Sequence, residues 1–194
     1  MSDLSDQAVA TWPSAADGTP DITTIASRYQ LSATLLPETT LTELRAIGLP
    51  AMLEMTERSP LRAYLLKQLD GATATLVSSS GAEARKPIGE VDEGWTRSAW
   101  VIWRNVDQLP VDPGQELTPI VVTTLALRLQ KLGLLGSPLP AANTDRLQQA
   151  VRRFQLMIGL TPDGIVGPRT TLALSRVVGG RFGPTLTGEK IAAR

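Results

Sequence analysis

The sequence predicts an α+β chain in two pieces, a small antiparallel sheet with short helices followed by an all-α three-helix bundle. Three observations carry the prediction. Period-two alternation runs through residues 50–105, period-3.6 apolar spacing replaces it after residue 120, and the charge changes sign between the two. Residues 1–120 hold 9 Lys/Arg against 16 Asp/Glu, a balance of −7, whereas residues 121–194 hold 10 against 3, a balance of +7. A chain of 194 residues, 42% of them hydrophobic, can bury one fair-sized core or two small ones, and the patterns choose two. The junction falls in "VDQLPVDPGQELTP", Val106 to Pro119, whose three prolines and one glycine read as a linker. The division is therefore a sheet domain over 1–105, a linker over 106–119, a helical domain over 120–178 and a tail over 179–194.

In chain order, Leu4 to Leu36 reads as two short helices. In "TLTELRAIG" Thr40 stands three residues ahead of Glu43, the capping-box spacing, so a helix starts there and stops at Gly48 before Pro50. "AMLEM", "RAYLLKQL" and "ATATLV" alternate as strands, with Asp70 and Gly71 marking a hairpin turn. "ARKPIGEV" adds a short edge segment, because proline cannot donate to a ladder. "DEGW" is a turn into a last strand, "SAWVIWR", on which alternation sends Trp100 and Trp103 to opposite faces.

Beyond the linker, Leu125, Leu129 and Leu132 recur at i, i+4, i+7, and Leu147, Val151, Phe154 and Ile158 do the same in a second helix capped by Thr144 or Asn143. A third helix begins at Pro168 with Thr170, Leu174 and Val177 inward. Between the last two lies "GLTPDGIVGPRT", which reads as a corner. Gly159 is the C-cap, Asp163 and Gly164 form a turn with Gly164 at positive φ, Ile165 or Val166 plugs the core, and Gly167 leads into Pro168.

Several kinds of chemistry are excluded by composition. The chain has no cysteine and no histidine, which removes thiol nucleophiles, disulfides, imidazole bases and nearly every zinc site. No cofactor and no metal are expected. No run of about 18 apolar residues occurs, no apolar signal core opens the chain, and no Gly-x-x-x-x-Gly-Lys-Ser/Thr loop is present. The basic second half suits an anionic partner such as a nucleic acid, an anionic membrane or a carboxylate-bearing polymer.

The helical half resembles the peptidoglycan-binding-domain family over roughly residues 120–178. The residues that carry the resemblance are Leu129 and Gln130, Ala150 and Val151, Phe154 and Gln155, Gly159 and Leu160, Asp163 and Gly164, Val166 to Pro168, Thr170 and Leu174. Gln130, Phe154, Gln155, Asp163, Gly164, Gly167 and Thr170 read as mainly structural members of this pattern. One departure stands out: where the family often has a second aspartate-glycine turn, this chain has "GSPLPAANTD". The resemblance implies a ligand of glycan strands with peptide stems, whose carboxylates suit a basic module. Arg152, Arg153 and Arg169 are the candidate carboxylate contacts.

The first half, with the order of the whole chain, resembles the periplasmic region of the general secretion pathway protein A family (ExeA type). In that arrangement a domain similar to leader-processing cysteine peptidases precedes a peptidoglycan-binding domain. The resemblance implies that the peptidase histidine would fall near Ala63, beside Tyr64, and its aspartate near Ser78 to Ser80. Neither group is present, and the cysteine is missing too, so the domain is a degenerate, non-catalytic one. Serine with lysine is a poor substitute, since Lys67, Lys86 and Lys131 sit in exposed-looking contexts. Glu90, Asp92 and Glu93 read as an acidic surface turn rather than a glycosidase pair. Trp95, Trp100 and Trp103 are possible sugar platforms, with at least one of them in the core.

The resulting expectation is a non-enzymatic, periplasmic wall-binding module that assists assembly of a type II secretion secretin. It would belong to an inner-membrane protein whose span lies outside this chain. Its partners would be peptidoglycan, a protein of the secretion apparatus and possible further copies of itself, and not nucleic acid. Two alternatives are the targeting part of a murein hydrolase and a nucleic-acid-binding helical domain. The missing catalytic groups weigh against the first, and the spread of basic residues over all three helices against the second.

Overall fold

A computed structural model describes residues 22–56, 62–112, 115–179 and Leu186, apart from the side chains of residues 178 and 179. Among these residues the chain forms two compact units that divide after Arg104, with Leu186 belonging to the first.

In the first unit, α1 (Ile22–Arg28) leads to β1 (Ser32–Leu36), α2 (Leu41–Ile47), β2 (Ala51–Met55), β3 (Arg62–Leu69), β4 (Thr73–Val77), β5 (Glu83–Pro87), α3 (Ile88–Gly94) and β6 (Trp95–Trp103). The six strands make one sheet in the order β1-β6-β2-β3-β4-β5, every neighbouring pair antiparallel. The α+β expectation therefore holds. Residues 32–36 correct the reading of Leu4 to Leu36 as two helices, since β1 pairs with β6 from Ser32↔Trp103 to Leu36↔Ala99. Tertiary pairing overrides local propensity there, because Leu36 and Thr34 alternate into the core while Leu35 does not. Residues 4–21 of that reading lie outside the described residues.

The predicted helix at Thr40 has its full capping box. Thr40 Oγ1 accepts from the Glu43 N–H at 3.1 Å, Glu43 Oε2 accepts from the Thr40 N–H at 3.1 Å, and Gly48 ends the helix with φ 74°. The proline-bearing edge strand is β5, with Pro87 as its last residue. "DEGW" is not a simple turn: Asp92, Glu93 and Gly94 close α3, and Trp95 already begins β6.

One face of the sheet is the core of this unit. Leu36, Ala99, Val101, Ala51, Leu53, Leu66 and Leu76 are buried on it, together with Leu41, Leu44 and Ile47 of α2 and Val91 of α3. Leu186 joins them, fully buried: its N–H donates to Gly48 O at 2.9 Å and its carbonyl accepts from Leu69 N at 2.8 Å. Of the stretch read as a tail, residues 180–185 and 187–194 lie outside the described residues. On the opposite face Leu35, Trp100, Met52, Leu65 and Val77 line up in register across five strands, none of them buried.

In the second unit, α4 (Pro119–Lys131), α5 (Asp145–Ile158) and α6 (Pro168–Gly179) form the predicted three-helix bundle. Its core is Val122, Leu125 and Leu129 from α4, Leu147, Val151 and Phe154 from α5, and Leu172 and Leu174 from α6. Thr144 caps α5, with its side chain accepting from Leu147 N. Leu132, Ile158 and Val177 sit at the margin, half-buried.

The stretch read as a linker is fastened to these helices. Asn105 closes a loop onto Leu109 through both its amide groups, at 2.9 and 3.0 Å. The Thr171 hydroxyl donates to Pro110 O at 2.6 Å, and Asp107 forms an ion pair with Arg128. Partial burial of the Arg128 guanidinium lowers its pKa by desolvation.

Candidate functional site

The corner between α5 and α6 is built from the residues whose spacing the sequence made conspicuous. Gly159 takes φ 82° and caps α5, so the chain reverses without a Cβ penalty. Gln155, one turn back and 2% exposed, then reaches across the corner. Its Nε2 lies 2.7 Å from Asp163 Oδ1 and 3.0 Å from both Thr170 Oγ1 and Ile165 O, while its Oε1 accepts from Gly164 N at 2.8 Å. Asp163 Oδ1 also accepts from Ile165 N at 2.8 Å, and the Thr170 hydroxyl donates to Ile165 O at 3.1 Å. A buried amide stays in an apolar bundle only when its donors and acceptor are satisfied. Here Gln155 serves as the internal template on which residues 163–165 and the first turn of α6 are laid. Of the two candidate plugs, Val166 is buried and Ile165 is half exposed.

Gly164 has φ 79°, the positive value expected from the sequence. It also lies under a side chain. A Cβ at this position would stand 2.9 Å from Arg152 Nε, 3.1 Å from Arg152 Cγ and 3.2 Å from Gln148 O. Arg152 thus lies across the glycine, with its Nε donating to Asp163 O at 3.3 Å.

An open cleft of about 300 Å³ runs beside this contact. Its lining residues are Arg152, Asp163, Gly164 and Ile165 of the corner and α5, the polar Gln115, Asn143 and Gln148, and the apolar Leu117, Val151 and Val166. The three arginines singled out from the sequence occupy different places. Arg152 lines the cleft. Arg153 is exposed one residue further round α5, and Arg169 is half-buried in the first turn of α6; neither is among the cleft's lining residues. Gln130 is away from the corner, donating to Ser137 Oγ at 3.0 Å. Phe154 is fully buried and purely core, and Gly167 lies between the buried Val166 and Pro168, which opens α6.

Gln115, Asn143 and Gln148 were not singled out from the sequence. A signal for Gln148 exists, since it stands four residues before Arg152 and shares its helix face. Asn143 was a capping candidate, and capping by Thr144 frees it for the cleft.

The first unit has no comparable constellation among its described residues. Ala63 sits in β3 opposite Glu54, and Ser78 and Ser80 share a hydrogen bond of 2.8 Å in the turn after β4. Lys67 pairs with Glu83 at 2.5 Å, Lys86 with Glu90 at 2.7 Å, and Asp92 with Arg97 at 2.9 Å. Two of the three tryptophans considered as sugar platforms are core instead. Trp95 and Trp103 are 4% and 5% exposed, with their indole N–H groups donating to Ser98 O at 2.8 Å and Thr34 Oγ1 at 2.9 Å. Trp100 alone lies on the half-open face. Among the described residues no group of three or more acidic side chains is placed to hold a metal ion, and no helix is long and apolar enough to cross a membrane.

Residues 121–174 match the family model described as "Putative peptidoglycan binding domain", so the C-terminal unit contains a domain of that kind. No curated protein matches the chain. Among solved structures, the chain is similar to a periplasmic domain of the EpsAB fusion protein of the Vibrio vulnificus type II secretion system. The identity is 20% and the TM-score 0.44, over 77% of this chain and 65% of that one. It is also similar to the N-terminal peptidase C39 like domain of the toxin secretion ATP-binding protein from Vibrio parahaemolyticus, at 18% identity and TM-score 0.39, over 52% of this chain and 83% of that one. The chain thus spans somewhat under two thirds of the first of these.

Proposed function

We propose that this chain is a non-catalytic, periplasmic wall-binding module that serves assembly of a type II secretion apparatus, including passage of its secretin through the cell wall. The observation that carries the wall-binding part is the peptidoglycan-binding domain at residues 121–174, built on the Gln155 corner. The basic balance of residues 121–194 supports it, because the free carboxylates of peptide stems are the anionic groups of such a polymer. The absence of every cysteine and histidine supports the non-catalytic part, since it removes the nucleophile and base of the peptidase arrangement that the first unit resembles. The secretion role rests on the order of sequence features along the whole chain.

We place the domain boundary for this purpose at residue 105, because Asp107 and Pro110 are tied to α4 and α6. The test is co-sedimentation of the full chain with purified sacculi over a salt series, alongside duplex DNA. Retention by sacculi that weakens as salt screens the contacts is expected, with no soluble muropeptides released. Retention by DNA alone, or steady release of muropeptides, overturns the reading.

A further inference from the structure

We propose that the cleft beside Gly164 takes a free amino-acid head, one carbon bearing both an ammonium and a carboxylate, with Arg152 binding the carboxylate and Asp163 the ammonium. The proposal rests on the wall-binding reading for its source of ligand and deepens it. In a peptidoglycan, such a head is the unlinked end of a diaminopimelate side chain in a peptide stem; glycan hydroxyls and N-acetyl groups carry neither charge.

Four observations lead there. First, the cleft is lined by one cation and one anion, Arg152 and Asp163, so a ligand bearing only a carboxylate would meet a like charge beside its partner. Second, these two side chains do not neutralise each other. Their one hydrogen bond runs from Arg152 Nε to the main-chain carbonyl of Asp163, and among the described residues neither forms an ion pair. Third, each keeps its binding atoms available. The Arg152 Nη groups have no hydrogen-bond partner among the described residues, and Asp163 is held through Oδ1 alone, by Gln155 and the Ile165 N–H, leaving Oδ2.

Fourth, both groups are positioned in advance. The corner fixes Asp163, and the missing Cβ of Gly164 makes room for Arg152, whose Cγ and Nε would otherwise stand 3.1 and 2.9 Å from it. A preorganised guanidinium fork matches a carboxylate, and a fixed carboxylate oxygen matches an ammonium. Gln148, Asn143 and Gln115, which also line the cleft, are residues of the kind that donate to and accept from a peptide.

The test uses the full chain and three soluble probes in calorimetric titrations: the tripeptide L-alanyl-D-glutamyl-meso-diaminopimelate, the same tripeptide with L-lysine in third place, and the diaminopimelate form acetylated only on the distal amine of the diaminopimelate, its alanine amine left free. The lysine probe lacks the distal carboxylate and the acetylated probe lacks the ammonium. Each should bind about tenfold or more weakly than the first, as expected for losing a charged hydrogen-bond partner. Arg152→Gln should erase the preference over the lysine probe, and Asp163→Asn the preference over the acetylated one. Asp163→Asn keeps the Oδ1 acceptor of the corner, so its melt should stay near the parent's. Arg153→Gln, outside the cleft, should change neither preference.

Equal binding of all three probes, or full discrimination in both cleft variants, overturns the proposal. Sacculus co-sedimentation separates it from the wall reading. A parent chain that sediments with sacculi but does not distinguish the probes leaves that reading intact and removes this site. A chain that distinguishes the probes but ignores sacculi keeps the site and removes the wall.

Discussion

The two connections of the helical unit do the same job by different physics. Between α4 and α5, residues 132–144 are gathered by an exposed arginine. Arg146 donates to Pro138 O at 2.7 Å, to Gly136 O at 2.6 Å and to Ser137 O at 3.4 Å. Between α5 and α6, residues 159–167 are gathered by the buried Gln155. In each an arginine also lies near a glycine, Arg146 near Gly136 and Arg152 over Gly164. The contacts differ in what they tolerate. A Cβ at Gly136 would meet Arg146 Nη2 at 3.6 Å, an ordinary separation, whereas one at Gly164 would meet Arg152 at 2.9 Å from a backbone at positive φ. A connection held from inside constrains residue identity at many positions, and one held from the solvent side constrains few.

The sharpest break in this comparison is Gln155→Ala. It removes every hydrogen bond of the buried amide and leaves the Gly164 N–H without its acceptor in a partly buried corner. It also opens a void at a position only 2% exposed. The expected loss is about 3–5 kcal/mol, from unsatisfied polar groups and cavity together. Urea unfolding followed at 222 nm should show it. A loss below about 1 kcal/mol would mean that the amide is replaceable by water and that the corner is not internally held.

Gly164→Ala comes next, at about 1–3 kcal/mol from the left-handed backbone. From the sequence alone this position belongs to the turn, so a substitution there should act on stability and reach binding only through it. The structure adds a second route, because the new methyl group displaces the Arg152 stem. Sacculus binding should therefore fall further than the folded fraction predicts. A variant that melts low but binds in proportion to its folded fraction would separate Gly164 from the cleft.

The same contrast explains what was legible in the sequence. The corner was legible because its turn chemistry is local, with Gly159, Asp163, Gly164 and Pro168 at fixed offsets, and Gln155 and Thr170 then complete it through one another and the Ile165 backbone. The Thr40 capping box and the Asp70 hairpin were legible for the same local reason. β1 was not, since Ser32–Leu36 is a strand only by virtue of pairing with β6, some 65 residues away, and no local rule reports such a partner. Nor was the burial of Leu186, which depends on Gly48 and Leu69 meeting it from distant parts of the chain. The cleft was half legible. Arg152 stood out by charge, but Asn143 and Gln115 have no periodic relation to it and are brought there only by the packing of the bundle.

The smallest expected effect is the most direct control on the comparison. Gly136→Ala places a methyl group at an ordinary van der Waals distance from Arg146, on a backbone that is not at positive φ. The exposed loop around it can absorb a shift of a few tenths of an ångström, since Arg146 ends in a flexible guanidinium that only touches carbonyl oxygens. Replacing glycine by alanine where the native conformation suits alanine also narrows the unfolded ensemble, worth about 0.4–1 kcal/mol in favour of folding. The two terms leave the variant between unchanged and slightly stabilised, with sacculus binding as in the parent. If Gly136→Ala instead destabilised as much as Gly164→Ala, the solvent-side connection would be as tightly specified as the buried one. The absence of an aspartate-glycine turn in "GSPLPAANTD" would then reflect a second rigid corner of different sequence rather than a loop released from one.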